Sequence, residues 1–141
     1  MSQVKIKAKI KEGYKQAVQA RMHSLVADAS EPFGSKDHDL SPHELLLASL
    51  GACTSITLEI YAQKKGWDLQ DVSVDMQDEE VEDPNQPGKK MTRITRSISV
   101  SGNLTEEQVE SLKAIADKCP IHKLLTGPKE VNTELKRLAS V

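Results

Sequence analysis

Residues 41–66, SPHELLLASLGACTSITLEIYAQKKG, are the part of the sequence that decides the fold. Ser41 is followed by a proline at the first helical position and by Glu44 three residues on, which is the pattern of a capping box. The next four turns are apolar almost all round, and Gly66 suits the left-handed end of a helix. The stretch 45–58 is shorter than the roughly 20 residues that a bilayer needs. We therefore predict a long, buried central helix and no membrane partner.

The residues before this helix have the pattern of a β-hairpin. Apolar residues alternate with lysines over Val4–Ile10, which is the period of a strand with one buried face. After the turn signal at Gly13, the segment Tyr14–Val26 predicts a second strand. Asp28 to Leu40 carries a proline, a glycine and five charges. That composition predicts a loop, and loops of this length are often functional.

Two further strands are predicted after the central helix. Apolar residues alternate with polar ones at Val72–Met76 and again at Ile94–Val100. The residues between, Asp78 to Lys90, contain two prolines and a glycine, and they predict a solvated hairpin loop.

The last third of the chain predicts two helices and an ambiguous tail. Thr105–Gln108 is a second capping box, and its helix should end near Cys119 because a proline disfavours helical geometry in the residue before it. Pro120–Leu125 then predicts a short helix. From Lys129 the apolar residues alternate as in a strand.

This order of elements describes one α+β domain over residues 1–141, with the helices on one face of a mainly antiparallel sheet. The chain has a formal charge of −2, no long basic tract and only 3% aromatic residues, which disfavours nucleic-acid partners. The N-terminus alternates lysines with apolar residues and has no apolar signal-peptide region, so we expect a cytoplasmic protein.

The two cysteines, Cys53 and Cys119, are the first candidates for chemistry. In a reducing compartment a cysteine pair is more often catalytic than a static cross-link. From pattern alone, Cys53 in mid-helix is more often a packing residue. Cys119 lies where one helix ends and another begins, and free amides at such a position stabilise a thiolate. The two thiols are far apart in sequence and meet only if their helices pack together.

The remaining ionisable residues give weaker signals. His122 follows Cys119 by three residues, but two ligands do not make a metal site, and we predict neither a metal nor a cofactor. A cysteine that reacts as a thiolate needs a fixed cation, and arginine never loses its charge. Arg21 stands between Ala20 and Met22, which indicates that it projects from the opposite strand face, but for each of the four arginines a surface role is the default.

Glu44 lies on the face of the central helix opposite Cys53 and more than two turns away. A catalytic role for Glu44 therefore requires that it reach the cysteine of a second chain. The alternative is that Glu44 only closes the capping box.

The residues around both cysteines resemble a known family. Ser41–Thr54 resembles the first cysteine motif of the OsmC/Ohr family, and Ala116–His122 resembles its second. Shorter matches at Val26–Asp28, Gly66–Trp67 and Leu124–Pro128 extend the likeness over most of the chain. One difference lies at the helix start, where histidine stands between the proline and Glu44, whereas peroxidases of the family often have glutamate directly after proline.

The resemblance implies an OsmC-like α+β fold in which two protomers intertwine as a homodimer, with active sites at the interface. It implies an antioxidant thiol peroxidase in which Cys53 attacks an organic hydroperoxide and becomes a sulfenic acid. Cys119 then condenses with it to a disulfide. An arginine from the N-terminal half, for which Arg21 is the candidate, and a glutamate at the helix start, for which Glu44 is the candidate, complete the site. A dithiol of lipoyl or thioredoxin type would reduce the disulfide.

A second hypothesis is a binding module. It keeps the dimeric fold, uses an apolar interface pocket for a small hydrophobic ligand, and retains the cysteines for packing. The two hypotheses differ in what one equivalent of cumene hydroperoxide does to the reduced protein. Loss of both thiols supports the enzyme, and loss of neither supports the binder.

Overall fold

The computed structural model describes residues 1–29 and 38–139. Three short strands come first, where two were predicted, followed by a long helix, two long strands and two helices. The α+β class is confirmed. Their bounds are β1 Lys5–Ala8, β2 Gln16–Ala20, β3 His23–Ala27, α1 Pro42–Lys65, β4 Asp68–Glu82, β5 Lys90–Asn103, α2 Glu106–Ala116 and α3 Pro120–Thr126.

Helix α1 begins and ends where the sequence predicted. The Ser41 amide donates a hydrogen bond to Glu44 Oε1 at 2.9 Å, and the Glu44 amide donates to Ser41 Oγ at 3.2 Å, which completes the capping box. At the other end, Gly66 adopts a left-handed conformation with a φ of 71°. Both ends of the central helix are therefore set by local sequence.

The N-terminal sheet has three antiparallel strands in the order β1-β2-β3. The prediction of one strand over Tyr14–Val26 was wrong, because the chain reverses between Ala20 and His23. Arg21 occupies this turn with a φ of 55°, a conformation that an arginine rarely adopts. Neither glycine nor proline marks the turn, so the sequence carried no signal for it.

Strands β4 and β5 form a second antiparallel sheet that is longer than predicted. The predicted loop from Asp78 to Lys90 was wrong, because pairing continues until Glu82 lies opposite Lys90. Opposite charges explain the extension: Glu79 pairs with Arg93 in the same register, and their side chains approach to 3.6 Å. Only residues 83–89 remain as a hairpin loop. The tail after Gly127, as far as residue 139, adopts neither helix nor strand.

The hydrophobic core lies between α1, α2 and the long sheet. Leu58 of α1 is buried against Leu112, Ile115 and Ala116 of α2, and aromatic and aliphatic side chains surround them. These partly buried neighbours are Tyr61, Trp67, Leu69, Val72, Ile98 and Leu104. One face of α1 is thereby covered.

The opposite face of α1 is apolar but exposed within one chain. Leu46, Ile56 and Ile60 remain 44%, 54% and 48% exposed. Within the described residues, α1 packs on β4, α2 and α3, whereas β1, β2 and β3 pack mainly on one another. By length and composition α1 is also apolar enough to cross a membrane, a test that core helices of soluble proteins pass too.

The long loop predicted from Asp28 to Leu40 lies mostly outside the described residues. At its two ends, the Asp28 amide donates a hydrogen bond to the Leu40 carbonyl at 3.0 Å. A parallel bridge also joins Ala27 to Leu40. These contacts connect the end of β3 with the residues that lead into α1.

We predict that Gly102→Ala lowers the free energy of unfolding much more than Gly88→Ala does. Both glycines have positive φ, 138° and 85°, but an added Cβ meets nothing at Gly88 and overlaps the Asp68 carbonyl at Gly102. We expect Gly88→Ala to cost about 1 kcal/mol of backbone strain and Gly102→Ala about 3 kcal/mol. Urea denaturation followed by circular dichroism measures both. Equal losses would show that the β4–β5 register tolerates the side chain.

Candidate active site

Cys119 lies at the start of α3, where the sequence placed it. Pro120 occupies the first helical position, and Cys119 is the extended N-cap residue with φ −64° and ψ 140°. Its Sγ accepts a hydrogen bond from the His122 amide at 3.3 Å. The side chain is fully buried. Cys119 therefore performs the capping role that serine or threonine has at the other two helix starts.

Helix α1 supplies the groups that face this thiol. Thr54 is fully buried, donates a hydrogen bond to the Leu50 carbonyl at 2.7 Å, and places its hydroxyl oxygen 3.9 Å from Cys119 Sγ. Cys53 is partly exposed, and its thiol is close enough to donate a hydrogen bond to the Cys119 sulfur. The packing of α1 against α3 thus makes the two cysteines neighbours, as predicted.

The surroundings of Cys119 favour its thiolate. Burial raises the pKa of Cys119, and this is the largest single effect. The hydrogen bonds from the His122 amide, the Cys53 thiol, the Thr54 hydroxyl and the Ile121 amide together outweigh it, so the pKa of Cys119 is lowered. Hydrogen bonds to a sulfur stabilise its negative charge, and here their combined effect exceeds that of burial.

A partly buried arginine holds this cluster together from β5. The Arg96 side chain is only 12% exposed. Its Nη1 donates to Thr54 Oγ1 at 3.0 Å, and its Nη2 donates to Asp117 Oδ1 at 2.8 Å and contacts His122 Nδ1 at 3.2 Å. Because a guanidinium only donates, the contact with His122 is a hydrogen bond in the tautomer whose ring proton lies on Nε2. One cation thus connects α1, the end of α2 and α3.

Arg21 and Glu44, which were predicted to belong to the site, form no hydrogen bond or ion pair with either cysteine among the described residues of one chain. Arg21 lies in the β2–β3 turn, and among the described residues no hydrogen bond or ion pair joins it to Cys53 or Cys119. Glu44 remains at the helix start, where the Ser41 backbone and side-chain hydrogen bonds lower the pKa of its carboxyl group. Their roles in the site stay predictions that require a second chain.

The part of the sequence that contains this cluster matches a known protein family. The family model described as OsmC-like protein matches residues 34–134, well over half of the chain. The chain belongs to the OsmC family. This confirms the resemblance that the two cysteine motifs indicated. No curated protein sequence matches the chain.

Solved structures of OsmC/Ohr proteins share the fold at low sequence identity. An OsmC-like protein from Mycoplasma pneumoniae has a TM-score of 0.68 and 18% identity, over 90% of this chain and 88% of that one. The organic hydroperoxide resistance protein OsmC from Legionella pneumophila gives 0.65 and 18%, over 90% of both. The organic hydroperoxide resistance protein OhrB of Bacillus subtilis gives 0.65 and 17%, over 90% and 91%. These likenesses establish the OsmC-like α+β fold.

Arg96 is the residue of this OsmC family site that sequence reasoning missed. It was counted among four arginines, but its position in β5 was not weighed. Arg96 shares the two-residue period of Ile94 and Ile98, whereas Arg93 falls on the opposite face and is 58% exposed. An arginine among the buried residues of an alternating strand was the available signal. No comparable pattern distinguished Thr54 or Asp117.

An apolar pocket of about 300 Å³ adjoins the cluster in this family member. Leu50, Ile94 and Leu125 give it apolar walls, and Arg96 and His122 line both the pocket and the surroundings of Cys119. Within the described residues, no three side chains of the types that ligate metals come together. The available chemistry is that of two thiols beside a fixed cation.

We predict that Arg96→Met is much more disruptive than Arg93→Met in the same strand. Arg96 loses charge-assisted hydrogen bonds to Thr54 and Asp117, a loss of roughly 1.5–3 kcal/mol. The exposed Arg93–Glu79 pair contributes less than about 1 kcal/mol. Thermal and urea unfolding of both variants measure the difference. Indistinguishable stabilities would mean that Arg96 is not held as the hydrogen bonds indicate.

Proposed function

We propose that this OsmC family member is a thiol-dependent peroxidase that reduces organic hydroperoxides with Cys53 and Cys119. The observation that carries the proposal is the pair itself: a partly exposed thiol beside a buried one whose hydrogen bonds favour the thiolate. The His122 amide and the Thr54 hydroxyl approach the buried sulfur at 3.3 Å and 3.9 Å, and Arg96 donates to that hydroxyl. Redox-active pairs need both an accessible sulfur and a stabilised thiolate.

The two cysteines differ in solvent exposure, and this difference assigns a separate role to each. Cys53 is partly exposed, so it reacts with the peroxide. Cys119 is fully buried, so it reacts only with the oxidised Cys53. Cys53 sulfur attacks the terminal peroxide oxygen, the O–O bond breaks, and the alcohol leaves with a proton. The Cys53 sulfenic acid then reacts with Cys119, forming the S–S bond and releasing water. A cytoplasmic dithiol of lipoyl or thioredoxin type restores both thiols.

The substrate class follows from the apolar surroundings. The pocket beside Arg96 has aliphatic walls, and the exposed face of α1 next to Cys53 carries Leu46 and Ile56. An alkyl or aryl hydroperoxide buries more apolar area there than hydrogen peroxide does. The names of the Legionella pneumophila and Bacillus subtilis structural neighbours refer to organic hydroperoxide resistance.

A homodimer is part of the proposed function. The exposed apolar face of α1 is the kind of patch that marks a protein–protein interface, and a second copy is the partner that the family resemblance implies. In such a dimer, Arg21 and Glu44 of the other chain are the groups that would complete the site around Cys53. Among the described residues of one chain, no hydrogen bond or ion pair joins either of them to a cysteine.

We expect one equivalent of cumene hydroperoxide to consume both thiols of the reduced protein. Cys53→Ser should abolish peroxide consumption, because the accessible sulfur is gone. Cys119→Ser should stop after one turnover at a Cys53 sulfenic acid, because no thiol remains nearby to resolve it. Thiol counting and dimedone labelling with mass spectrometry give the readouts.

Serine is the matched replacement at both positions, since at residue 119 it still caps α3. If the reduced wild-type protein keeps both thiols under these conditions, the result contradicts the peroxidase proposal and supports the ligand-binding alternative. Dimedone labelling of Cys119 in Cys53→Ser, with none of Cys53 in Cys119→Ser, would reverse the roles of the two cysteines.

We expect the wild-type protein to sediment as a dimer at micromolar concentration. An obligate interface of this type buries over roughly 2,000 Å². Ile56→Asp places a charge in the exposed apolar face of α1 and should give monomers or aggregates, whereas the conservative Ile56→Val should remain dimeric. A stable wild-type monomer, or a dimer that tolerates the aspartate, would contradict the proposed interface.

A further inference from the structure

A second cavity, of about 230 Å³, lies between α1, β5 and α2. Among the described residues it shares only Arg96 with the pocket that adjoins Cys119, and neither cysteine lines it. Its walls combine apolar and charged side chains, of which the ones that matter here are Leu58, Arg96, Ile98, Val100, Val109 and Lys113. The cavity is therefore separate from the cysteine site but has one wall in common with it.

The cavity has a charged end and an apolar end. Strand β5 and helix α2 run in opposite directions, because only two residues connect them and Arg96 binds Asp117 just beyond the end of α2. Lys113 lies about one helical turn before Asp117, so it is at the Arg96 end of the cavity. Val109 lies about two turns before Asp117, at the end that Val100 lines.

The charged end has more positive than negative charge. Arg96 donates to Asp117, whose side chain is 66% exposed. Among the described residues, no salt bridge joins Lys113 to an acidic side chain. Two cations and one carboxylate leave one positive charge unbalanced. Arg96 Nε also forms no hydrogen bond in the described part of the chain, and because no buried side-chain nitrogen there lacks a partner, Nε is accessible to solvent.

We propose that this cavity binds a medium-chain aliphatic carboxylic acid, with its carboxylate at Arg96 and Lys113 and its alkyl chain in the apolar end. A carboxylate matches the planar donors of a guanidinium, and its single charge neutralises the one left unbalanced. The volume corresponds to about eight water molecules of roughly 30 Å³ each, so it holds an acid of about eight carbons. This binding site goes beyond the proposed peroxidase function, because the acid reacts with neither thiol.

The cavity lies on the side of α1 away from the apolar face that we propose as the dimer interface. Leu58, which lines the cavity, is fully buried against α2, whereas Ile56 and Ile60 are about half exposed. Two residues correspond to roughly 200° around a helix, so Leu58 and these isoleucines occupy opposite faces. At the rim, Val109 is 40% exposed. The cavity therefore opens to solvent away from the proposed interface.

The test is an NMR titration of the full-length, ¹⁵N-labelled protein with acids of increasing chain length. From hexanoate to octanoate we expect Kd to fall about threefold to fourfold for each added methylene, because each one is buried in the apolar end. Decanoate should gain less than twofold over octanoate, because the cavity is then full. Octanol has the same chain without the charge and should bind at least about tenfold more weakly than octanoate. Affinity that keeps rising with chain length, or equal binding of octanol, would indicate non-specific association and overturn the proposal.

Lys113→Met and Lys118→Met form a matched pair for the charged end. Both remove an exposed lysine near the end of α2, but only Lys113 lines the cavity. Lys113→Met should weaken octanoate binding about twofold to fivefold, as expected for an exposed ion pair, and Lys118→Met should leave it unchanged. Equal effects of the two substitutions would contradict a carboxylate held at Lys113.

Val109→Trp tests the apolar end. The larger side chain should fill the cavity and abolish octanoate binding, and circular dichroism should show that the substitution at this exposed position leaves the fold intact. Octanoate binding that survives in a folded Val109→Trp protein would place the acid elsewhere and overturn the proposal. The titrations use no peroxide, so their outcome does not depend on whether the protein is a peroxidase.

Discussion

The hydrogen bonds of Arg96 are the interaction on which the candidate site depends. They join Thr54 of α1 to Asp117 and His122, which lie on either side of Cys119. A guanidinium withdrawn from water is costly unless its donors are satisfied, so the partly buried Arg96 needs these three acceptors as much as they need the arginine. This mutual requirement fixes the distance between α1 and the start of α3, and with it the approach of the two thiols.

The local features of this fold were readable from the sequence, and the long-range ones were less so. Both capping boxes, the glycine end of α1 and the proline start of α3 were predicted, because each depends on residues within one turn. The β2–β3 turn was missed, since Arg21 adopts positive φ without a glycine. The β4–β5 hairpin was underestimated, because its acidic end is stabilised by basic residues on the other strand.

The residues of the candidate site were likewise predicted only in part. The two cysteines were predicted from their helical settings and from the resemblance, and they are neighbours because α1 packs against α3. Arg96 was missed although it has the apolar period of β5, because the family pattern places the arginine of the site in the N-terminal half. Whether Arg21 and Glu44 act at the site depends on a second chain, and no local signal in one sequence encodes that geometry.

In the proposed disulfide cycle, the position of Cys119 as the N-cap of α3 couples the oxidation state of the protein to the stability of that helix. A thiolate is a charged acceptor at the positive end of a helix, whereas a disulfide sulfur is a neutral and weaker one. Oxidation therefore removes part of what holds the first turn of α3 in place. By thermodynamic linkage, any contact that strengthens this turn in the reduced form also makes the disulfide easier to reduce. The reduction potential of the pair is thus set partly by how well a seven-residue helix is capped.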